Sequence, residues 1–207
     1  MSSSKSLLLG VIAALAAIAG LVVAQFALAP KTVQIDSGTL LKSPRPIEDF
    51  KLVDSAGQGF DKSRLEGHWS LVFTGFTYCP DVCPNTLALL KSVKSQLDAA
   101  QVPMQVVFVS VDPERDTPEK LGLYAHYFDP TFIGATGPTA ELDKLMRNLS
   151  LVYAKVPGDK PDSYTMDHSA ALVLVNPQAQ VTGYFLPPHR VDALARDLQK
   201  IAGTSAS

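Results

Sequence analysis

The chain has 207 residues, 46% hydrophobic and 18% charged, with a formal net charge of −2. That length fits one domain with an appendage, and the apolar content excludes disorder throughout. The balance of 18 basic against 20 acidic residues leaves no polycationic face, so nucleic acid is not an expected partner. Two cysteines are too few for a disulfide framework or a four-cysteine zinc or iron–sulfur site.

No charged residue stands between Ser6 and Pro30, and residues 7–29 are apolar apart from Gly10, Gly20 and Gln25. A helix over that run would be roughly 35 Å long, enough for a hydrocarbon core of ~30 Å. Lys5 precedes it, and positive residues stay cytoplasmic, so the rest of the chain is expected outside the cytoplasm. Ala27-Leu28-Ala29 resembles a signal-peptide cleavage site. Pro30 would follow that cut, however, and the apolar run is longer than a signal peptide needs, so residues 1–30 read as an uncleaved membrane anchor. Either reading exports the domain to an oxidising compartment, where two neighbouring thiols are expected to do redox or metal chemistry.

Residues 31–46 hold Pro44 and Pro46 with little apolar periodicity and read as a linker, followed by a domain over residues 47–202 and a short tail, 203–207. Residues 50–54 alternate like an edge strand and turn at 55–57. Residues 70–77 form a buried-type strand. After the cysteines, Leu87, Leu90, Val93 and Leu97 recur at helical spacing as far as Ala100. Residues 105–111 are a second buried strand, rich in β-branched side chains. Thr117-Pro118-Glu119 is an N-cap, a first-turn proline and a first-turn acid, opening a helix to about Tyr127. A short strand is expected over 132–135, and a helix over 139–148 with Leu142, Leu145 and Met146 on one face. Residues 151–156 alternate weakly. Two strands, 171–175 and 181–186, flank a turn at 176–180, and an amphipathic helix over 191–201 turns Leu194, Leu198 and Ile201 inward. A βαβ start and a ββα end predict an α/β class with a central mixed sheet flanked by helices; the order is that of a thioredoxin-like sandwich, an assignment that rests also on the family resemblance carried by the motifs below.

The strongest local signal is Phe73-Thr74-Gly75-Phe76-Thr77-Tyr78-Cys79-Pro80-Asp81-Val82-Cys83-Pro84, a dithiol loop between a buried strand and a helix. Proline disfavours helix at the residue before it, so the helix is expected to begin at Pro84 with Cys83 at its N-cap. There the helix dipole would lower the thiol pKa of Cys83. C-x-x-C is the usual exchange motif, and three intervening residues make a wider bite that lets both sulfurs hold one ion. A plain structural disulfide is the blander alternative, but so short a loop would be a weak staple.

Two thiolates leave a metal under-coordinated, so a third donor is needed. Of four histidines, His168 ends a polar loop just before a strand, where it can face the dithiol, with Asp167 placed to orient its ring. On the residues alone, His168 can equally be an ordinary loop histidine. His68 reads as a surface residue, His126 as packed or exposed on its helix, and His189 as opening the last helix. Thiolate selects Cu(I) or zinc; zinc prefers four ligands and no convincing fourth is present, whereas two sulfurs and an imidazole suit copper. Met166 could offer a soft atom, but the internal methionines are scattered and it reads as packing.

Three segments together carry a resemblance. Thr74 to Pro84 as written above, Val109-Ser110-Val111-Asp112-Pro113-Glu114-Arg115-Asp116-Thr117-Pro118, and Asp167-His168-Ser169 look like the Sco/SenC family, over about residues 45–200. The resemblance implies a membrane-anchored thioredoxin-like domain in the periplasm or the mitochondrial intermembrane space, the periplasm being the expectation here. It implies copper, as Cu(I), Cu(II) or both, one ion per chain, held by Cys79, Cys83 and His168. It further implies a role in assembling the binuclear copper site of cytochrome c oxidase, with the oxidase's copper-bearing subunit or another copper chaperone as partner. Asp112, Glu114 and Asp116 match the family's acidic loop, although by position they read as strand-end and helix-cap residues. The rival function is a thiol–disulfide oxidoreductase or redox sensor using Cys79 and Cys83, the more exposed sulfur attacking and the other resolving.

Overall fold

Residues 70–75 are Ser-Leu-Val-Phe-Thr-Gly, apolar on both faces of an extended chain, and such a run is stable only between two layers. In the computed structural model it is the central strand of an eight-stranded mixed sheet, and all six residues are buried. The structure describes residues 10, 15–21, 33–160 and 163–204. In chain order the strands are β1 (Thr39–Pro46), β2 (Lys51–Asp54), β3 (Gly59–Asp61), β4 (Ser70–Gly75), β5 (Gln105–Ser110), β6 (Ile133–Thr136), β7 (Tyr153–Pro157), β8 (Tyr164–His168), β9 (Leu172–Val175) and β10 (Gln180–Phe185). The helices are α1 (Val82–Ala99), α2 (Pro118–Phe128), α3 (Thr139–Leu149) and α4 (Val191–Thr204).

The sheet runs β1-β10-β9-β4-β5-β6-β2-β3. The pairs β4–β5 and β5–β6 are parallel, and the remaining pairs are antiparallel. This is the expected sandwich. The helix α1 buries Cys83, Thr86, Leu87, Leu90, Val93 and Leu97, the i, i+3, i+4, i+7 stripe of an amphipathic helix, and it packs against α4. Leu194, Leu198 and Ile201 of α4 are buried as their spacing requires. Thr117 caps α2 by accepting the Lys120 N–H at 3.4 Å, and the turn at 176–180 closes with the Asn176 N–H on the Gln180 carbonyl at 2.9 Å.

The stretch read as a linker is corrected in its second half. Residues 39–46 form β1 on the edge of the sheet, paired to β10 with an irregular register between Leu40 and Arg45. An edge strand exposes its side chains and tolerates proline on its solvent side, so neither alternation nor apolar content marks it. The segment before it is clipped to α4. The buried Asp197 carboxylate accepts the Asp36 N–H at 2.9 Å, the Ser37 N–H at 2.7 Å and the Ser37 hydroxyl at 2.6 Å. Residues 50–54 do not make an edge; β2 lies between β6 and the small outer strand β3.

Residues Met1–Gln34 form one compact unit and Ile35–Ser207 another. Residues 15–21 of the first are helical. Among the described residues no helix is long and apolar enough to cross a membrane. The transmembrane segment expected over residues 7–29 falls mostly outside the described residues.

Candidate metal centre

The first parallel crossover places the dithiol. The strand β4 ends at Gly75, the chain turns through Phe76, Thr77 and Tyr78, and α1 starts at Val82, two residues before the position expected from Pro84. Cys83 therefore lies inside the first turn, fully buried, while Cys79 sits half-exposed in the preceding loop. Both thiols are free.

This changes the electrostatics expected of the loop. The free N–H groups of a helix N-terminus point outward along its axis, and here the Cys83 N–H reaches the Cys79 sulfur at 3.4 Å. Cys83's own sulfur instead points into the domain. Burial pushes its thiol well above the ordinary thiol range, with only partial relief from the Phe76 backbone, so the lowered pKa expected for Cys83 is overturned. Gly75 is what lets that sulfur in. A Cβ at residue 75 would stand 2.5 Å from Cys83 Sγ and 2.9 Å from the Phe108 ring.

His168 is the last residue of β8, a strand rather than the polar loop read from sequence. The hairpin β7–β8 forms a separate two-stranded sheet whose Tyr153–His168 pairing ends beside β4. The imidazole Nε2 lies 3.4 Å from Cys83 Sγ, and the donor atoms of Cys79, Cys83 and His168 all lie within 4.8 Å of one another. A single ion bound trigonally at ordinary metal–sulfur and metal–nitrogen lengths needs donors roughly 3.5–4 Å apart, so the three side chains fit one ion. Among the described residues no other cluster of three such donors exists.

The ring is held for that role. His168 Nδ1 lies 3.2 Å from the Ser169 carbonyl. A carbonyl only accepts, so Nδ1 carries the proton and the lone pair of Nε2 faces the sulfurs. Burial lowers the His168 pKa, partly opposed by the Ser169 carbonyl and by Asp167, which keeps the imidazole neutral and fit to bind a metal. Asp167 is exposed and not the orienting group expected; the Ser169 backbone is. The rings of Phe73 and Phe76 wall the imidazole edge-on at 6.1 and 6.0 Å. Met166 is buried one strand position from Asp167, as packing.

Two acids of the loop after β5 prove to be anchors. Asp116 is fully buried and accepts the Thr77 N–H at 2.9 Å, the Thr77 hydroxyl at 2.5 Å and the Ser110 hydroxyl at 2.5 Å, fixing the chain two residues before Cys79. Asp112 holds the hairpin: it accepts the Tyr164 hydroxyl at 2.8 Å and pairs with Arg115 Nε at 2.5 Å. Arg115 donates to the Tyr164 carbonyl at 3.0 Å and stacks on the Tyr164 ring at 3.7 Å. Burial and the Asp112 bond push the Tyr164 phenol up to about 12, so it stays a donor. Glu114 is exposed and pairs with Lys155 at 2.6 Å. Thr77, Arg115 and Tyr164 join the site as supports that the motifs do not mark. The signal for Thr77 is a Thr-x-Cys just after one buried strand facing an Asp six residues after the end of the next, which topology brings together. His68 and His126 are exposed and His189 is half-buried, all outside the cluster.

Comparison with known proteins agrees with this arrangement. The sequence model described as SCO1/SenC matches residues 40–203. The human mitochondrial protein SCO2 homolog is 39% identical over 139 residues, covering 66% of this chain and 52% of that protein, so the chain spans about half its length. A copper-bound ScoI structure from Bradyrhizobium japonicum superposes with a TM-score of 0.68 at 34% identity, covering 75% of this chain and 98% of that one. The apo Sco1 of Thermus thermophilus gives 0.73 at 35%, covering 83% and 99%. The fold is thus the thioredoxin-like fold of those structures, and the chain belongs to the SCO1/SenC family.

Proposed function

We propose that this chain binds one copper ion through Cys79, Cys83 and His168 and serves the copper site of cytochrome c oxidase, from a membrane-anchored position outside the cytoplasm. The observation that carries the copper reading is the convergence of two thiols and a neutral imidazole, with the lone pair of Nε2 turned toward Cys83 Sγ, on a fold whose copper-bound relative is known. Two soft sulfurs favour Cu(I), and the set is one ligand short of a zinc site. Cys79, half-exposed, is the donor that an incoming ion meets first; Cys83 must give up its proton as the site closes.

The second reading is a thiol–disulfide reductase acting on the oxidase's cysteines, favoured by the same asymmetry of exposure. The Cys79 thiolate would attack a partner disulfide and release one partner thiolate, and Cys83 would then displace the second, leaving a Cys79–Cys83 disulfide and a reduced partner. An external thiol reductant would reset the pair.

His168 separates the two. Exchange needs only sulfurs, whereas copper needs the third donor. In the full-length reduced chain, His168→Ala is expected to weaken copper binding about 10-fold or more while the Cys79–Cys83 pair still oxidises and reduces at an unchanged rate. Wild-type copper affinity in that variant would leave thiol exchange as the better account.

A further inference from the structure

Tyr124 has no part in the arrangement described so far, yet its surroundings single it out. It projects from α2 onto Phe108, with ring centroids 5.6 Å apart, and Phe108 is the ring that crowds Gly75 beside Cys83 Sγ. On its other side it lines a surface cavity of about 460 Å³ with Thr77 and Tyr78, the two residues that lead into Cys79. The phenol is therefore wedged between the dithiol loop and the aromatic floor of the metal centre. Its hydroxyl is buried and has no hydrogen-bond partner among the described residues. A buried hydroxyl without a partner is costly, so its presence calls for an explanation.

Copper loading supplies that state. Two thiolates and a neutral imidazole around Cu(I) carry a net charge of minus one into a half-buried, ring-walled site, with the Asp116 carboxylate close by. Negative sulfur then calls for donors. The Cys83 N–H already serves Cys79. We propose that Tyr124 is a positioning residue for the metal centre: its hydroxyl donates a hydrogen bond to a copper-bound thiolate of the Cys79–Cys83 pair and stabilises the loaded form. Burial raises the phenol's proton affinity, so the hydroxyl remains a donor. The inference rests on the copper reading above.

The test is Tyr124→Phe in the full-length chain, which keeps the ring and removes only the hydroxyl. Three quantities are read: the thermal midpoint of the reduced metal-free protein, Cu(I) affinity against a chromophoric chelator, and the sulfur-to-copper charge-transfer band after Cu(II) is added. The metal-free variant should melt at or above the wild-type temperature, because an unpartnered hydroxyl contributes nothing to the fold. It should still take up one copper, with affinity lowered about 10-fold, and the band should shift to lower energy as a thiolate loses its donor. An unchanged band and affinity would overturn the tyrosine's role while leaving the copper reading intact. A lowered melting point with unchanged affinity would make the hydroxyl structural and overturn it equally. A wild-type chain that binds no copper would overturn the copper reading itself, and this inference with it.

Discussion

Cys83→Ala is expected to lose stoichiometric copper binding, with affinity falling roughly 100-fold or more, because one thiolate and one imidazole cannot hold a soft ion against competing thiols in solution. The expectation comes from position as much as from chemistry. Cys83 Sγ is the donor in contact range of His168 Nε2, 3.4 Å away, so its removal takes away the centre of the site rather than its rim. The fold should survive, since a sulfur replaced by hydrogen in a closed pocket leaves only a small void, worth about 1 kcal/mol. Cys79→Ala should lose binding as well, but its sulfur is half-exposed and its loss should leave thermal stability nearly unchanged. Equilibrium dialysis with a Cu(I) chelator gives the stoichiometry, and urea unfolding gives the stability. Retention of one tightly bound copper by Cys83→Ala would place the ligands elsewhere.

Asp116→Ala should damage fold and site together. Three donors converge on this one fully buried carboxylate, from Thr77 backbone, Thr77 hydroxyl and Ser110 hydroxyl. Removing it leaves the buried Ser110 hydroxyl and the half-buried Thr77 N–H and hydroxyl without their acceptor, a loss of about 2–3 kcal/mol. That is a large share of the ~5–15 kcal/mol that holds a typical domain folded. Because Thr77 stands two residues before Cys79, the dithiol loop loses its anchor, and copper affinity should fall about 10-fold even where the variant remains folded. Asp116→Asn keeps one acceptor oxygen and should fall between the two in both measurements. A stable Asp116→Ala variant with wild-type copper binding would show that the loop is held by something else.

Much of this was legible in the sequence, and what was not has a physical reason. The strands at residues 70 and 105 and the helices that follow bury a full stripe each, so their patterns survive in composition. The edge strand β1 does not, because backbone bonds to β10 hold it and its side chains face water. The strand β8 was hidden likewise: of Tyr164–His168 only Met166 is buried, and the hairpin is fixed by polar contacts to Asp112 and Arg115, fifty residues upstream. The ligand triad could be read because chemistry restricts it to few residue types. The acidic loop misled in the opposite direction, since Asp112 and Asp116 match a local capping pattern while their partners lie across the sheet. The helix start at Pro84 was displaced for a subtler reason: proline disfavours helix at the preceding residue without forbidding it, and Cys83 fills a pocket that rewards its inward turn.

The burial of Cys83 also sets the response to pH. A thiol held protonated competes with the metal more strongly than an ordinary one, so copper affinity should keep climbing as pH rises through and above neutrality, with proton release on binding. The measurement that tests the account most directly is therefore a Cu(I) titration of the full-length chain, reduced and disulfide-bonded, at several pH values with proton release recorded. The account predicts one copper per reduced chain, protons released at neutral pH, affinity rising with pH, and no uptake by the disulfide form. Equal copper uptake by the disulfide-bonded chain would contradict it, because the two sulfurs would then not be the ligands.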